Sequence, residues 1–259
     1  ARSLRMHREE AGAINMDRRE MSIRAMDPDN VEVNLMERAS PSRQIVSELM
    51  ILANCLMAEY CVVNAVPTIY RSQQAPSLGG PLDDNPTDEP VRSFIAMKRL
   101  APVEISTHAG PHKVLGVDPY LQATSPLRRY PDLLIQRQIS HHLGTGGALY
   151  STEEMASVGQ RAEVQMKELG RIEEQRKRYW FLKYLKQAYL DVSGRSLLSA
   201  IVLENQPNRH ALLELEKYPF RFRTYIAPSY VAGHKLTLKL HSVDLWRRSP
   251  LFIDVNESR

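Results

Sequence analysis

Hydrophobic and polar positions alternate with period two near the start of the chain. Ile14 and Met16, then Met21, Ile23 and Ala25, are set among polar neighbours, and the alternation resumes at Val31, Val33 and Leu35 after Asp27-Pro28-Asp29-Asn30. Residues 13–35 therefore predict a hairpin with one buried face. Ser40-Pro41-Ser42 then opens a helix. From Gln44 to about Val66 this helix is apolar nearly all round, through Ile45, Val46, Leu49, Met50, Ile51, Leu52, Leu56 and Met57, which predicts a helix in the middle of a domain. Glu48 and Asn54 interrupt it, and a buried carboxylate needs a partner. Residues 74–90 are rich in proline and glycine and read as a surface loop carrying Asp83, Asp84 and Asp88, with nothing rigid to orient them as metal ligands. Ser151-Thr152-Glu153-Glu154 has the spacing of a capping box and starts a helix, or helix pair, that runs to about Leu190. Gly170 weakens that helix and Gly194 can close it.

From Ser196 the texture becomes short β-type runs: Leu198–Leu203, Ala211–Leu215, Phe220–Ile226, Leu236–Leu240 and Leu251–Val255. Turn residues, among them Asn205-Gln206-Pro207-Asn208, Pro228 and Gly233, separate them. Five short strands in so few residues predict a small OB-type barrel. The expected class is α+β, with residues 1–192 forming a mixed part and residues 193–259 an all-β barrel.

Composition narrows this picture only modestly. With 259 residues, 43% hydrophobic, the chain can bury one large core or a large and a small one. A net charge of +4 suits an anionic partner without demanding one. Cys55 and Cys61, the two cysteines, sit in an apolar run without metal-ligand spacing, which fits buried thiols in a reducing compartment. No apolar stretch approaches the roughly 18 residues of a membrane span, so no membrane partner is expected, and no signal peptide is visible. The chain opens on Ser3-Leu4-Arg5-Met6-His7-Arg8, which reads as mid-helix and leads to the expectation of a fragment.

The chemistry concentrates in residues 111–139. Gly116 and Asp118-Pro119 end one element, Tyr120 follows, and Thr124-Ser125-Pro126 predicts a helix start with Ser125 as N-cap and Pro126 at the first helical position. Arg128, Arg129 and Asp132 then fall in or next to the first turn. Amides at a helix start, two hydroxyls and paired guanidinium groups form an anion site, and the planar arginine fork suits phosphate oxygens. Arg129 could equally pair with Asp132 while Ser125 only caps, and for Arg129 both readings stay open. For Arg128 the phosphate role is the stronger.

TSPLRRYPDL at 124–133, preceded by Pro111-His112, Leu115-Gly116 and Tyr120, resembles the signature block of the RNB family, the RNase II and RNase R exoribonucleases. Further blocks agree in order. SRQIVSELMILAN at 42–54 is similar to the family's buried helix, IYRSQ at 69–73 to its following segment, and RIEEQRKRYWFLKYL at 171–185 to its last helix. RSFIAM at 92–97 leads toward the phosphate block, and the terminal barrel is similar to the family's OB-fold RNA-binding domain. The resemblance implies a cytoplasmic enzyme, alternatively a plastid or mitochondrial one, that degrades single-stranded RNA processively from the 3′ end to nucleoside 5′-monophosphates. It implies Mg2+ held by four aspartates.

On this resemblance Arg128 matches the arginine that stabilises charge developing on the scissile phosphate. Glu173 matches the acidic residue of the late helix that supports the site, and Glu48 a carboxylate on the terminal ribose. The helix alone favours a satisfied internal hydrogen bond for Glu48; the resemblance favours function. Tyr120, Thr124 and Ser125 become phosphate-backbone or support positions.

Two departures stand out. The family's Asp-x5-Asp-x-Asp-Asp run is absent, so metal ligands are expected upstream of Ala1, in an N-terminal half that also carries cold-shock domains. Gln136 replaces the usual His, and Ala123 the common Phe. A binding protein that has lost the aspartates is the alternative to the enzyme. In the barrel, Tyr218-Pro219-Phe220-Arg221-Phe222-Arg223-Thr224-Tyr225 alternates aromatic and basic residues. Arg221 and Arg223 could neutralise RNA phosphates, or Phe220 and Phe222 could form the core with the arginines solvated.

Overall fold

The computed structural model describes residues 1–14, 19–27, 29–36, 40–76, 89–190, 197–205 and 210–255. The acidic loop with Asp83, Asp84 and Asp88, the turn residue Pro28 and the expected helix stop at Gly194 lie outside them. In chain order the elements are α1 (Arg2–Glu10), β1 (Glu20–Asp27), β2 (Asn30–Met36), α2 (Pro41–Val63), β3 (Tyr70–Gln73), α3 (Glu89–Arg99) and β4 (Val103–Ser106). They continue with α4 (Tyr130–Thr145), α5 (Thr152–Leu185), β5 (Leu197–Asn205), β6 (His210–Leu215), β7 (Arg221–Tyr225), β8 (Lys235–Asp244) and β9 (Ser249–Asp254). The chain forms two compact units, one of Ala1–Met16, Ala39–Gly79 and Arg99–Leu169, the other of Asp17–Arg38, Gly80–Lys98 and Gly170–Arg259. A boundary at 192/193 falls inside the second unit, because the hairpin, α3 and the second half of α5 all pack with the barrel strands.

In the first unit, Ser40 caps α2 through its Oγ, which accepts from Arg43 N at 3.4 Å, and Pro41 takes a first-turn position. The buried residues of α2 are Glu48, Asn54, Ala58 and Cys61, while Ile45, Val46, Leu49, Leu56, Val62 and Val63 are exposed. Composition had placed this helix in the middle of a domain; within the described residues it buries one narrow stripe instead. It also corrects the count of apolar runs. Its 23 residues, whose charged members are Arg43, Glu48 and Glu59, include an 18-residue window of mean hydropathy 1.6, long and apolar enough by composition to cross a membrane. Glu48 and Asn54 are among the side chains that it buries.

Glu48 meets Arg8 of α1 in a bidentate pair, with Nε to Oε2 at 2.9 Å and Nη2 to Oε1 at 2.5 Å. Arg8 Nη1 also donates to the Leu115 carbonyl at 2.8 Å. Gly116, at φ 65°, closes the short 3-10 turn Lys113–Leu115, and a Cβ there would collide with the Arg8 carbonyl. Ala58, Cys61, Tyr70, Leu121, Leu134, Ile135 and Met155 form the core of this unit.

The second unit is built on a five-stranded antiparallel sheet of order β7-β6-β5-β8-β9. Irregularities at Val202/Glu204 and Leu240/Ser242 bend it. Its edge strands approach each other: Thr224 Oγ1 of β7 donates to the Phe252 carbonyl of β9 at 3.2 Å, and the Phe222 and Phe252 rings lie 4.3 Å apart. This nearly closed sheet fits the OB-type barrel and the mixed α+β class that the sequence predicts. Alternation supplies the core, with Leu236, Leu238 and Leu240 of β8 pointing inward between exposed neighbours. Phe181, Leu182 and Leu185 of α5 join them. The hairpin β1–β2 forms as predicted and packs Met21, Ile23 and Val33 on the same core.

The capping box at the start of α5 is also formed. Ser151 N donates to Glu154 Oε2 at 2.8 Å, and Glu154 N to Ser151 Oγ at 3.2 Å. Gly170 sits within the helix without breaking it. Phe222 is 2% exposed at the point of barrel closure. Phe222→Ala should destabilise this unit by about 3–5 kcal/mol, read as a lowered urea midpoint in far-ultraviolet circular dichroism.

Candidate functional site

The segment before α4 owes its course to one buried amide. Asn54 is 2% exposed in the middle of α2. Its Oδ1 accepts from Ala123 N at 3.0 Å, and its Nδ2 donates to the Tyr120 hydroxyl at 3.1 Å and to Thr124 Oγ1 at 3.5 Å. A single side chain thereby satisfies a backbone donor and fixes two of the expected support residues. The Tyr120 carbonyl accepts from Arg71 N at 2.9 Å, which ties the same stretch to β3. Gln136 donates to the Ala123 carbonyl at 2.7 Å, so the residue standing where the family usually has His helps to hold this loop.

The helix start differs from the prediction. Residues 126–128 form a turn, and α4 begins at Tyr130 with Pro131 in its first turn and Arg129, at φ −129° and ψ 110°, as the N-cap residue. A helix begun at Pro126 would carry Pro131 in its interior. There the missing N–H and the ring clash with the carbonyl four residues back cost about 3 kcal/mol. The chain therefore turns once and restarts. Ser125 is not the N-cap; its carbonyl accepts from Arg128 N at 3.2 Å and Arg129 N at 3.0 Å.

Asp132, 2% exposed, organises this turn. Its Oδ2 accepts from Ser125 N at 2.9 Å and from Arg129 Nε and Nη2 at 2.9 and 2.7 Å. Of the two readings left open for Arg129, this arrangement is the ion pair. Arg128 stays exposed, with Nη2 donating to Ser125 Oγ at 3.4 Å. An exposed fork resting on a hydroxyl can turn its remaining N–H groups toward an anion. Leu127 and Tyr130 flank it, both strongly exposed.

The remaining expected site residues lie elsewhere. Glu48 is taken up by Arg8 and is 3% exposed, the satisfied internal contact that the helix pattern favours. Glu173 lies in the second unit, exposed on α5, with Oε1 2.9 Å from Lys177 Nζ. Arg221 is bound by Glu214, Nε to Oε2 at 2.8 Å, and Arg223 is exposed on β7. Phe220 and Phe222 are buried in the barrel, which decides their side of the alternation. Sequence reasoning missed the roles of Asn54, Arg71 and Gln122. Arg71 is hydrogen-bonded to Gln122, in the segment that leads into the 126–128 turn. The only signal for Asn54 was its position as a polar break in an apolar helix.

Among the described residues, no group of three or more His, Cys, Asp or Glu side chains could hold a metal ion. These residues do not fit a magnesium site.

Burial dominates the electrostatics of this unit. It lowers the Arg71 guanidinium and raises Tyr120, and it pushes both Cys55 and Cys61 up to about 11. His112 is 8% exposed, packs edge-on against Tyr120 at 5.3 Å, and has no partner for Nδ1 among the described residues. Burial, and then the nearby Arg71 charge, lower its pKa from 6.5 to about 4. As pH falls below the unfolded value the unfolded chain takes up this proton first, so stability is lost between about 6.5 and about 4. Denaturation midpoints followed over that range should show the loss, and His112→Phe should remove about 2 kcal/mol of it.

Residues 1–145 match the RNB domain family. An uncharacterized ribonuclease of Synechocystis is 30% identical over 92% of this chain, which spans 35% of that protein. Among solved structures, the apo form of Mycoplasma genitalium RNase R superposes with a TM-score of 0.83 at 17% identity, over 97% of this chain and 48% of that one. Yeast Ssd1, a pseudonuclease, gives 0.60 at 14% identity, over 71% of this chain and 26% of that one. The chain thus spans about a third of the curated relative and half of the RNase R chain. With more than half of its length matched by that family and a ribonuclease relative aligned along nearly all of it, the chain belongs to the RNB family, the family of the RNase II and RNase R ribonucleases.

Proposed function

We propose that this chain is the RNA-holding part of a 3′→5′ exoribonuclease that hydrolyses single-stranded RNA processively to nucleoside 5′-monophosphates. The observation that carries the reading is Arg128, exposed in the TSPLRRYPDL block while its neighbour Arg129 is neutralised by Asp132. One free-facing fork beside the Ser125 hydroxyl suits a phosphate that gains charge during cleavage. Asn54 keeps Tyr120, Ala123 and Thr124 in place behind it. Mg2+ belongs to this reading, held by carboxylates from outside the described residues in an N-terminal half of the same enzyme that also bears cold-shock domains. Glu173, Arg221 and Arg223 are assigned supporting or RNA-facing roles in the second unit.

A catalytically inactive RNA-binding protein is the second reading. The likeness to a pseudonuclease favours it, because a shared fold carries no guarantee of shared chemistry.

Arg128→Lys separates the two. In the protein carrying its whole RNB module, with magnesium present, the substitution should slow release of 5′-monophosphates from a labelled oligoribonucleotide on the order of a hundredfold. RNA affinity should change far less, because the ammonium keeps the charge and loses the fork. Equal losses in binding and cleavage would reduce Arg128 to an anchor, and absence of any cleavage by the unsubstituted protein would favour the binding protein.

A further inference from the structure

The turn between β8 and β9 has the makings of a second nucleic-acid contact. Asp244 and Ser249 are paired across the strands, and residues 245–248, Leu-Trp-Arg-Arg, form the turn between them. Trp246 at its tip is 94% exposed, more than any core-forming residue tolerates. A flat apolar ring held in water is unfavourable unless something covers it at some stage. The groove beside it is lined by Ile172, Arg176 and Tyr179 from the second half of α5 and by Leu245, Trp246 and Arg248 from the turn. All of these residues belong to the second unit.

The turn is held in shape before anything binds. Asp244 Oδ1 accepts from Arg247 N at 2.9 Å. Arg178 Nε donates to the Arg248 carbonyl at 2.7 Å, and Arg248 Nη1 to Gln175 Oε1 at 3.2 Å. Arg248 has φ 55°, the left-handed region, where glycine would be cheaper by roughly 1 kcal/mol. An arginine kept in that conformation, and anchored at both its carbonyl and its guanidinium, points to a use for its side chain. Arg247 beside it is strongly exposed, with the Asp244 carboxylate 3.8 Å away.

We propose that Trp246 and Tyr179 form a stacking platform for the bases of single-stranded RNA, with Arg176, Arg247 and Arg248 neutralising the adjoining phosphates. An exposed indole and a half-buried phenol ring edged by three arginines complement a strand of flat rings and anionic links. A protein partner of acidic and apolar character is the rival occupant. The platform differs from the strand on which the sequence placed RNA contact, where Phe220 and Phe222 are committed to the core and Arg221 to Glu214. The inference rests on RNA being this chain's ligand.

The test uses the full 259-residue chain and a short fluorescein-labelled oligouridylate, with binding read by anisotropy over a range of salt concentrations. Trp246→Ala should weaken binding roughly 5- to 100-fold, the loss of one stacked base, while Trp246→Phe should recover most of it. Arg247→Ala should reduce the slope of log affinity against log salt by about 0.7. Trp246 lies at a turn tip, so these variants are expected to unfold at the same midpoint as the unmodified chain. If Trp246→Ala binds normally while Arg128→Ala binds poorly, the platform is overturned and the phosphate turn stands. Loss in Trp246→Ala but not in Arg128→Ala upholds the platform and removes Arg128 from binding. An unmodified chain that binds no RNA overturns both, and leaves the patch to a protein partner.

Discussion

The Asp132 carboxylate decides which of two adjacent arginines can act. Buried at the third position of α4, it takes the Arg129 fork and the Ser125 amide on a single oxygen. Without it, a nearly buried guanidinium would lose its counter-charge, a more costly change than the pair itself is worth. With it, Arg129 becomes part of the scaffold and the turn at 126–128 is pinned from below. Arg128 is left outside, one hydroxyl away from the same turn. The difference in exposure between Arg128 and Arg129 therefore comes from a residue that is itself buried.

The same logic of local neutralisation runs through both units. Glu48 is consumed by Arg8, and Arg221 by Glu214. Each of these side chains is charged in a place where a sequence reading would assign it to a ligand. What distinguishes Arg128 and Arg247 is exposure combined with a fixed backbone. Binding groups of this kind lose little freedom on engagement, because the loops that carry them are already ordered by capping carboxylates.

Much of this architecture was legible in the sequence. Period-two alternation found the hairpin and all five barrel strands, and Ser151 with Glu154 marked the start of α5 two chemical bonds in advance of any packing. The failures have specific causes. Pro126 reads as a helix start, but Pro131 makes that helix too costly, and only the pair of prolines taken together moves the start to Tyr130. Apolar residues all round α2 say nothing of how many neighbours they find, and six of them remain exposed. Arg8 and Glu48 are 40 residues apart, and Asn54 and Ala123 are 69 apart, so no local pattern could join them. Trp246 was passed over because a lone aromatic in a turn has no periodicity to flag it; its meaning comes from Tyr179 and the arginines that the fold gathers beside it.

The two cysteines carry a practical consequence. With both thiols held near 11 by burial, only about one in ten thousand is ionised at neutral pH, and the thiolate is the species that attacks alkylating reagents. The native sulfurs are thus weaker nucleophiles than an exposed, introduced cysteine with an ordinary thiol. With Cys61 buried and Cys55 half-buried, a maleimide dye or spin label directed at an introduced surface cysteine meets slow competition from the native pair.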